Sequence, residues 1–198
     1  THLPFEGAVK DVGNILEARG SPEKDDAEVE WDWIRIDDLS NQPWQVDMLR
    51  TEPGANIKGT FFEVQENDIL VARLGPTILN AKFVLCPPVK RRTVASSEFL
   101  VIRCHEGWNP TAVLWVLRTA LYRDIMYKRS RGATPSRFRL DRRDLATIPF
   151  PKMSGAVQER IATEVRHCRE TARRLRAEAE AGWQQAKRWF EEQLLGKT

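Results

Sequence analysis

The stretch IPFPKMSGAVQERIATEVRHCRETARRLRAEAEAGWQQAKRWFEEQLL, residues 148–195, decides how this chain is organised. Its opening, Ile148-Pro149-Phe150-Pro151, is forced to run extended, because each proline fixes its own φ and moves the residue before it out of the helical region. Ser154 then offers a capping oxygen, and no proline follows to the end. Ile161, Val165, Cys168, Ala172, Leu175, Ala179, Gly182, Ala186 and Trp189 recur at alternating steps of four and three, the seam of a coiled coil or helical hairpin. About 40 residues at a 1.5 Å rise make a rod of roughly 60 Å. A rod that long cannot bury its stripe on a small domain, so the seam needs a second helix. Its small residues imply close approach and a weak isolated pair. The chain therefore divides into a domain over residues 1–152 and a pairing helix over 153–198.

Immediately upstream lies the densest basic stretch. Lys128, Arg129, Arg131, Arg137, Arg139, Arg142 and Arg143 stand against one acid, Asp141, with Gly132, Thr134 and Ser136 between the arginines. A charge run is commonly only a solvated face. Here the small and hydroxyl residues add something, since they permit backbone approach and hydrogen bonds to phosphate, while arginine matches the paired acceptors of guanine. Gly, Pro and hydroxyl residues with little apolar periodicity predict a loop from Lys128 onward. A second basic group, Arg73, Lys82, Lys90, Arg91 and Arg92, falls at strand ends and after Pro87-Pro88. The two groups are expected to form opposite walls of one positive cleft, with solubility alone the plainer explanation of the second.

Further back, Asn109 is expected to cap a helix with Pro110 at its first position, continued by Val113, Leu114, Leu117, Leu121 and Ile125 to about Tyr127 and packed on a sheet. Thr60–Val64, Asp68–Arg73, Ala81–Cys86 and Ser97–Arg103 read as strands, separated by turn residues Asn67, Gly75-Pro76, Asn80 and Pro87-Pro88. Trp31-Asp32-Trp33-Ile34-Arg35-Ile36 alternates apolar with charged residues like a half-buried strand. Before it come an acidic run, Glu23 to Glu30, and a short helical pattern, Val9, Val12, Ile15 and Leu16. The fold class is α+β: a mixed β-sheet domain with packed helices, followed by a long coiled-coil-type helix.

Charge is distributed unevenly. Residues 1–52 carry five Lys and Arg against thirteen Asp and Glu, a net −8, whereas residues 104–152 carry ten against four, a net +6. A middle surface facing a polyanion fits this asymmetry. A mean hydropathy of −0.48 with 30% charged residues argues against a membrane protein. Thr1-His2-Leu3-Pro4 shows neither a basic nor an apolar leader, which points to the cytoplasm. Cys86, Cys104 and Cys168, and His2, His105 and His167, are scattered without metal-ligand or catalytic spacing. No Gly-rich phosphate loop, GxSxG or HExxH occurs, and Asn109-Pro110 continues as Thr111-Ala112 rather than as an adenine-methylating tetrapeptide. No catalytic centre, metal or bound cofactor is expected. Trp33 and Trp115 read as core, Trp183 and Trp189 as interface anchors, and Trp44 and Trp108 as the loop tryptophans that could meet nucleic acid.

WDWIRIDDLS, ENDILVARLG, SSEFLVIR and RGATPSRFRLDRRDLATIPFPKMSGAVQERI, in that order from about residue 30 onward, resemble the DNA-specificity subunit of type I restriction-modification systems. The last of them is similar to the family's loop and proline-flanked entry into its spacer helix, with Gln158 as the helix glutamine; residues 1–30 match poorly. Family subunits carry two recognition domains and two spacer helices, so the resemblance implies a half-subunit, a truncated chain, or the recognition part of a single-domain system. It implies a target-recognition domain that grips a short half-site of duplex DNA; the contacts expected from the basic and hydroxyl side chains read above are Arg73, Lys82, Arg91, Arg92, Lys128, Arg129, Arg131, Thr134, Ser136, Arg137 and Arg139. It implies a helix that pairs antiparallel with a second spacer helix, from the same or another chain; the periodic seam places Ile161, Val165, Cys168, Ala172, Leu175 and Ala179 in that interface. It also implies a methyltransferase subunit that brings S-adenosylmethionine, and a restriction subunit where the system cleaves. The rival expectation is a non-catalytic coiled-coil scaffold with an incidental basic face.

Overall fold

The computed structural model describes residues 6–20, 22, 26–39, 46 and 49–196; His2, Trp44 and part of the acidic run, Glu23 included, lie outside the described residues. Internal contacts divide the chain into two units, Thr1–Glu159 and Arg160–Thr198.

In the first unit, β2 (Gly13–Ile15), β9 (Phe99–Cys104), β6 (Ile69–Ala72) and β7 (Phe83–Leu85) form one antiparallel sheet in the order β2-β9-β6-β7. A second sheet has the order β4-β3-β8-β5, from β3 (Glu30–Ile34), β4 (Arg50–Pro53), β5 (Phe61–Val64) and β8 (Thr93–Ser96). It is mixed, because β3 and β8 run parallel while its other pairs are antiparallel. A two-stranded ribbon joins β1 (Gly7–Ala8) to β10 (Pro149–Phe150). With the packed helices this is the α+β architecture expected from sequence.

All four residues of β6 are inaccessible to solvent, which is why that strand reads as an unbroken apolar run rather than an alternating one. The turn before it depends on Asn67 at φ +69°, a residue type that tolerates the left-handed region. Asp68 closes the turn, accepting from the Gln65 amide at 2.9 Å and from both ends of the Arg103 fork at 2.9 and 2.7 Å. The core of the second sheet gathers Trp31, Ile57, Phe61 and Val94, with the Trp31 and Phe61 rings edge-on at 6.2 Å. Trp33 and Trp115 are only half-buried, each under an arginine, Arg35 and Arg118 respectively; Trp31 is the tryptophan that fills the core.

Several elements depart from their expected bounds. Val9 and Val12 lie on a helix, α1 (Val9–Val12), but Ile15 belongs to β2, because Gly13 turns the chain into the sheet. A Cβ at Gly13 would lie 2.5 Å from the Arg103 carbonyl oxygen, so a side chain there would push β2 off β9. Gly75-Pro76 begins a short helix, α2 (Gly75–Leu79), rather than a turn, since proline in a first helical turn forfeits no hydrogen bond. Asn109 caps α3 (Pro110–Leu117), its Oδ1 accepting from the Thr111 and Ala112 amides. The expected single helix breaks at Thr119, which is extended. The chain restarts as α4 (Ala120–Arg129) with its phase reset, so Tyr122 and Met126 are buried and Leu121 is exposed. After α5 (Arg142–Ala146) and β10, the final helix α6 spans Gly155–Leu195. No described helix is long and apolar enough to cross a membrane.

In the second unit Leu175, Trp183, Trp189, Phe190 and Leu194 are exposed. At 100° per residue, the stripe through Ile161, Cys168, Ala172 and Ala179 also takes in Trp183 and Phe190 beside the expected seam. Ile161, Ala172, Trp183 and Leu194 are eleven residues apart, the spacing that follows a nearly straight helix where a heptad drifts off it.

Candidate nucleic-acid interface

The basic stretch is built as a braced turn. Arg131 and Arg139 exchange backbone hydrogen bonds at 3.0 and 2.9 Å, the Leu140 amide donates to the Arg73 carbonyl at 2.8 Å, and the Gly75 amide donates to the Phe138 carbonyl at 2.7 Å. Between them, Gly132 to Phe138 turns through a 3-10 segment at Pro135–Arg137, where the Thr134 and Ser136 hydroxyls share a hydrogen bond at 3.1 Å. The Phe138 ring packs on Tyr127 of α4 at 5.9 Å.

Gly132 has an internal reason to be small. A Cβ there would lie 2.5 Å from the Arg137 carbonyl oxygen, and one at Gly75 would meet Tyr127, Pro135 and Phe138 at 3.1–3.3 Å. The turn thus sits against α2 and α4 as a hydrogen-bonded projection, and residues 131–137 are all exposed.

The predicted cations fall into four groups. Arg73, Arg131 and Arg139 meet in the ladder at the base of the turn, each paired with a carboxylate: Arg73 with Asp141 at 3.1 Å, Arg131 with Asp144 at 3.5 Å, and Arg139 with Glu98 at 2.8 Å. Arg137, on the turn itself, makes no ion pair among the described residues; neither does Lys82, whose backbone pairs with Ala72 beside α2. Lys128 and Arg129 are helical, not in the loop, because α4 runs two residues beyond its expected end. Lys128 pairs along the helix with Asp124 at 2.7 Å, and Arg129 ties α4 to α5 through the Asp144 carbonyl and the Thr147 hydroxyl. Arg142 likewise bonds the Ile15 carbonyl and Glu17, which makes it a brace.

Arg91 and Arg92 do not join the turn. They precede β8 while Glu98, beside Arg139, follows it, so about 13 Å of strand lies between them at the usual rise per residue. Both engage carboxylates of the second sheet: Arg91 pairs with Glu30, and Arg92 with Asp26 at 2.6 Å and Glu63 at 3.2 Å while covering the Trp31 ring at 4.0 Å. The Glu63 hydrogen bond is the chief reason that Arg92 holds its proton above the ordinary arginine range. Part of the acidic N-terminal segment, Asp26 and Glu30, therefore answers Arg91 and Arg92 of the second basic group. Sequence reasoning missed this, since Asp26 and Arg92 are brought together only by the pairing of β3 with β8.

Sequence reasoning also missed a buried polar joint. Gln158, in the first turn of α6, is buried and accepts from the Asn109 amide at 2.7 Å, while its Nε2 donates to the Gly107 and Met153 carbonyls at 3.2 Å each. Trp108 beside it packs edge-on against Phe150 at 5.7 Å and lines a pocket of about 320 Å³ with Asp11 and Lys152. Among the described residues no group of His, Cys, Asp and Glu is arranged to hold a metal ion.

No family model matches this sequence, and no curated protein matches it. Solved structures share its fold, among them the following two. One, described as the structural basis of complex assembly and conformational transition of the type I R-M system, aligns over 90% of this chain and 47% of its own, with 21% identity and a TM-score of 0.71. The other, the crystal structure of the HsdS subunit from Thermoanaerobacter tengcongensis, aligns over 86% of this chain and 44% of its own, with 18% identity and a TM-score of 0.66. The chain spans about half the length of the solved chains it matches, and its fold is that of one half of such a chain.

Proposed function

We propose that this chain is the recognition half of a type I specificity subunit, a non-catalytic module that binds duplex DNA and docks a methyltransferase. One observation carries the reading: a fold shared with half of an HsdS chain presents an exposed turn, closed by its own backbone ladder and bearing Arg131, Arg137 and Arg139. A turn held by its own ladder loses little entropy on docking, and its arginines suit both phosphate and guanine edges.

Helix α6 pairs antiparallel with a second spacer helix through Ile161, Val165, Cys168, Ala172, Leu175 and Ala179. Charge supports that direction. Residues 155–176 hold six Arg against three Glu, and residues 177–195 hold four Glu against one Lys and one Arg, so opposed helices set the positive half against the negative one. S-adenosylmethionine belongs to the methyltransferase partner, which modifies adenine at the site this domain grips; a restriction subunit joins where the system cleaves.

The test is selection of bound duplexes from a random pool in the presence of the methyltransferase, followed by titration of Arg131→Ala, Arg137→Ala and Arg139→Ala. A lost phosphate contact weakens binding to every sequence and flattens the salt dependence by roughly one unit, whereas a lost guanine contact costs about 1–3 kcal/mol at one position. Unchanged affinity and slope in all three variants, or no selected sequence, would leave the scaffold reading standing.

A further inference from the structure

We infer that Glu98, Asp141 and Asp144 restrain the sequence-independent DNA affinity of this surface, by occupying the three arginines at the base of the turn as phosphate would. The inference rests on the DNA-binding reading above.

The ladder supplies the geometry. Arg73 donates its amide to the Glu98 carbonyl and accepts from Leu140, while Arg131 and Arg139 pair with each other, so the ladder gathers the three arginines beside Glu98 and Asp141, and Arg131 reaches Asp144 on α5. Each guanidinium meets one carboxylate, at 2.8, 3.1 and 3.5 Å. The formal charge of this ring is zero, whereas Arg137 on the turn above it keeps its full charge.

These pairs contribute little to the fold. Exposure runs from 23% to 80% across their six side chains, and ion pairs open to water are weak because solvent screens them and the side chains lose freedom. Their consequence for an arriving polyanion is larger. A phosphate that approaches Arg139 finds Glu98 already there, and the carboxylate stays within a Debye length after it is displaced. Each such arginine then counts for less than one neutralised phosphate, so fewer counterions are released than the number of arginines suggests. A base edge carries no net charge and meets this repulsion less strongly than a phosphate does, so the carboxylates penalise backbone binding more than base reading, which widens the gap between right and wrong sequences.

The experiment uses the whole chain and a fluorescent duplex of mixed sequence, titrated by anisotropy between about 50 and 200 mM salt. Glu98→Gln, Asp141→Asn and Asp144→Asn keep side-chain size and remove one negative charge each. Every variant should bind the mixed duplex more tightly, by up to roughly eightfold at 0.1 M salt, with a salt slope steeper by about 0.9. Thermal melts should stay close to the parent's. Asp141 is the most exposed of the three acids, so its variant keeps the test valid should either of the others fold poorly. If the parent binds but the carboxamide variants bind no tighter, or bind more weakly, the carboxylates orient the arginines instead and this inference alone is overturned. If the parent does not bind the duplex at the lowest salt, the DNA-binding reading falls and takes this one with it.

Discussion

Replacing Gln158 with alanine should destabilise the first unit out of proportion to the atoms removed. Gln158 makes three hydrogen bonds while buried, to the Asn109 amide and to the carbonyls of Gly107 and Met153. A typical bond contributes about 1 kcal/mol net, and an N–H left without a partner costs about 1–3 kcal/mol. The Asn109 amide loses its acceptor outright, whereas each carbonyl keeps a second lone pair for water, so the expected loss is about 3 kcal/mol. In a unit of this size that lowers the melting midpoint by roughly 6–12 °C. Gln158→Glu separates geometry from charge. One carboxylate oxygen can still accept from Asn109, but the other faces two carbonyl oxygens and must be protonated to donate to them. The introduced group's pKa is therefore raised in the folded state. A raised folded pKa means stability that is present at low pH and lost as pH rises, so the deficit against the parent is full at neutral pH and narrows on acidification. Urea unfolding followed by tryptophan fluorescence at about pH 7 and pH 5 measures both effects. A Gln158→Ala variant within about 0.5 kcal/mol of the parent, or a Gln158→Glu deficit unchanged with pH, would refute the reasoning.

Asp68→Asn should cost about 2–3 kcal/mol in the same assay, below the usual toll for a broken buried pair, because the Arg103 side chain is 36% exposed and water can take over its fork. Gly132→Ala should weaken binding to duplex DNA without removing a charge, since its Cβ forces the Arg137 carbonyl away at about 1–3 kcal/mol of local strain; unchanged affinity would mean that the turn's shape is irrelevant to binding. Of the three thiols only Cys168 is exposed, while burial is the chief cause that pushes Cys86 and Cys104 up to about 12. A thiol reagent at about pH 8 should therefore label Cys168 ahead of the other two while α6 is unpaired, more slowly once the helix pairs through its seam, and all three after denaturation. Above the ordinary thiol value of 9.0 the unfolded chain ionises first, so stability should fall as pH climbs from there towards about 12.

What the sequence determined by itself was whatever its local chemistry dictates. Asn109-Pro110 signalled the start of a helix, Ile148-Pro149-Phe150-Pro151 signalled an extended run, and the seam from Ile161 onward signalled helix, which the structure draws as one element, Gly155–Leu195. Buried strands such as Ile69–Ala72 were legible because both of their faces are covered. Thr93–Ser96 was not legible: it is a strand because β3 and β5, far away in sequence, flank it, and no local pattern encodes such a partner. The break at Thr119 lay beyond reach for a similar reason, since apolar spacing continues across it while the capping geometry that resets the phase does not show in residue types. For the candidate site the difference matters most. The sequence told where the positive charges are, but only tertiary structure decided which of them are already answered. Arg92 is held by Asp26 and Glu63, Arg139 by Glu98, and Arg137 by no carboxylate among the described residues. A side chain's availability to a ligand depends on what stands within a few ångströms of it, and strand pairing brings those neighbours in from 29 to 66 residues away.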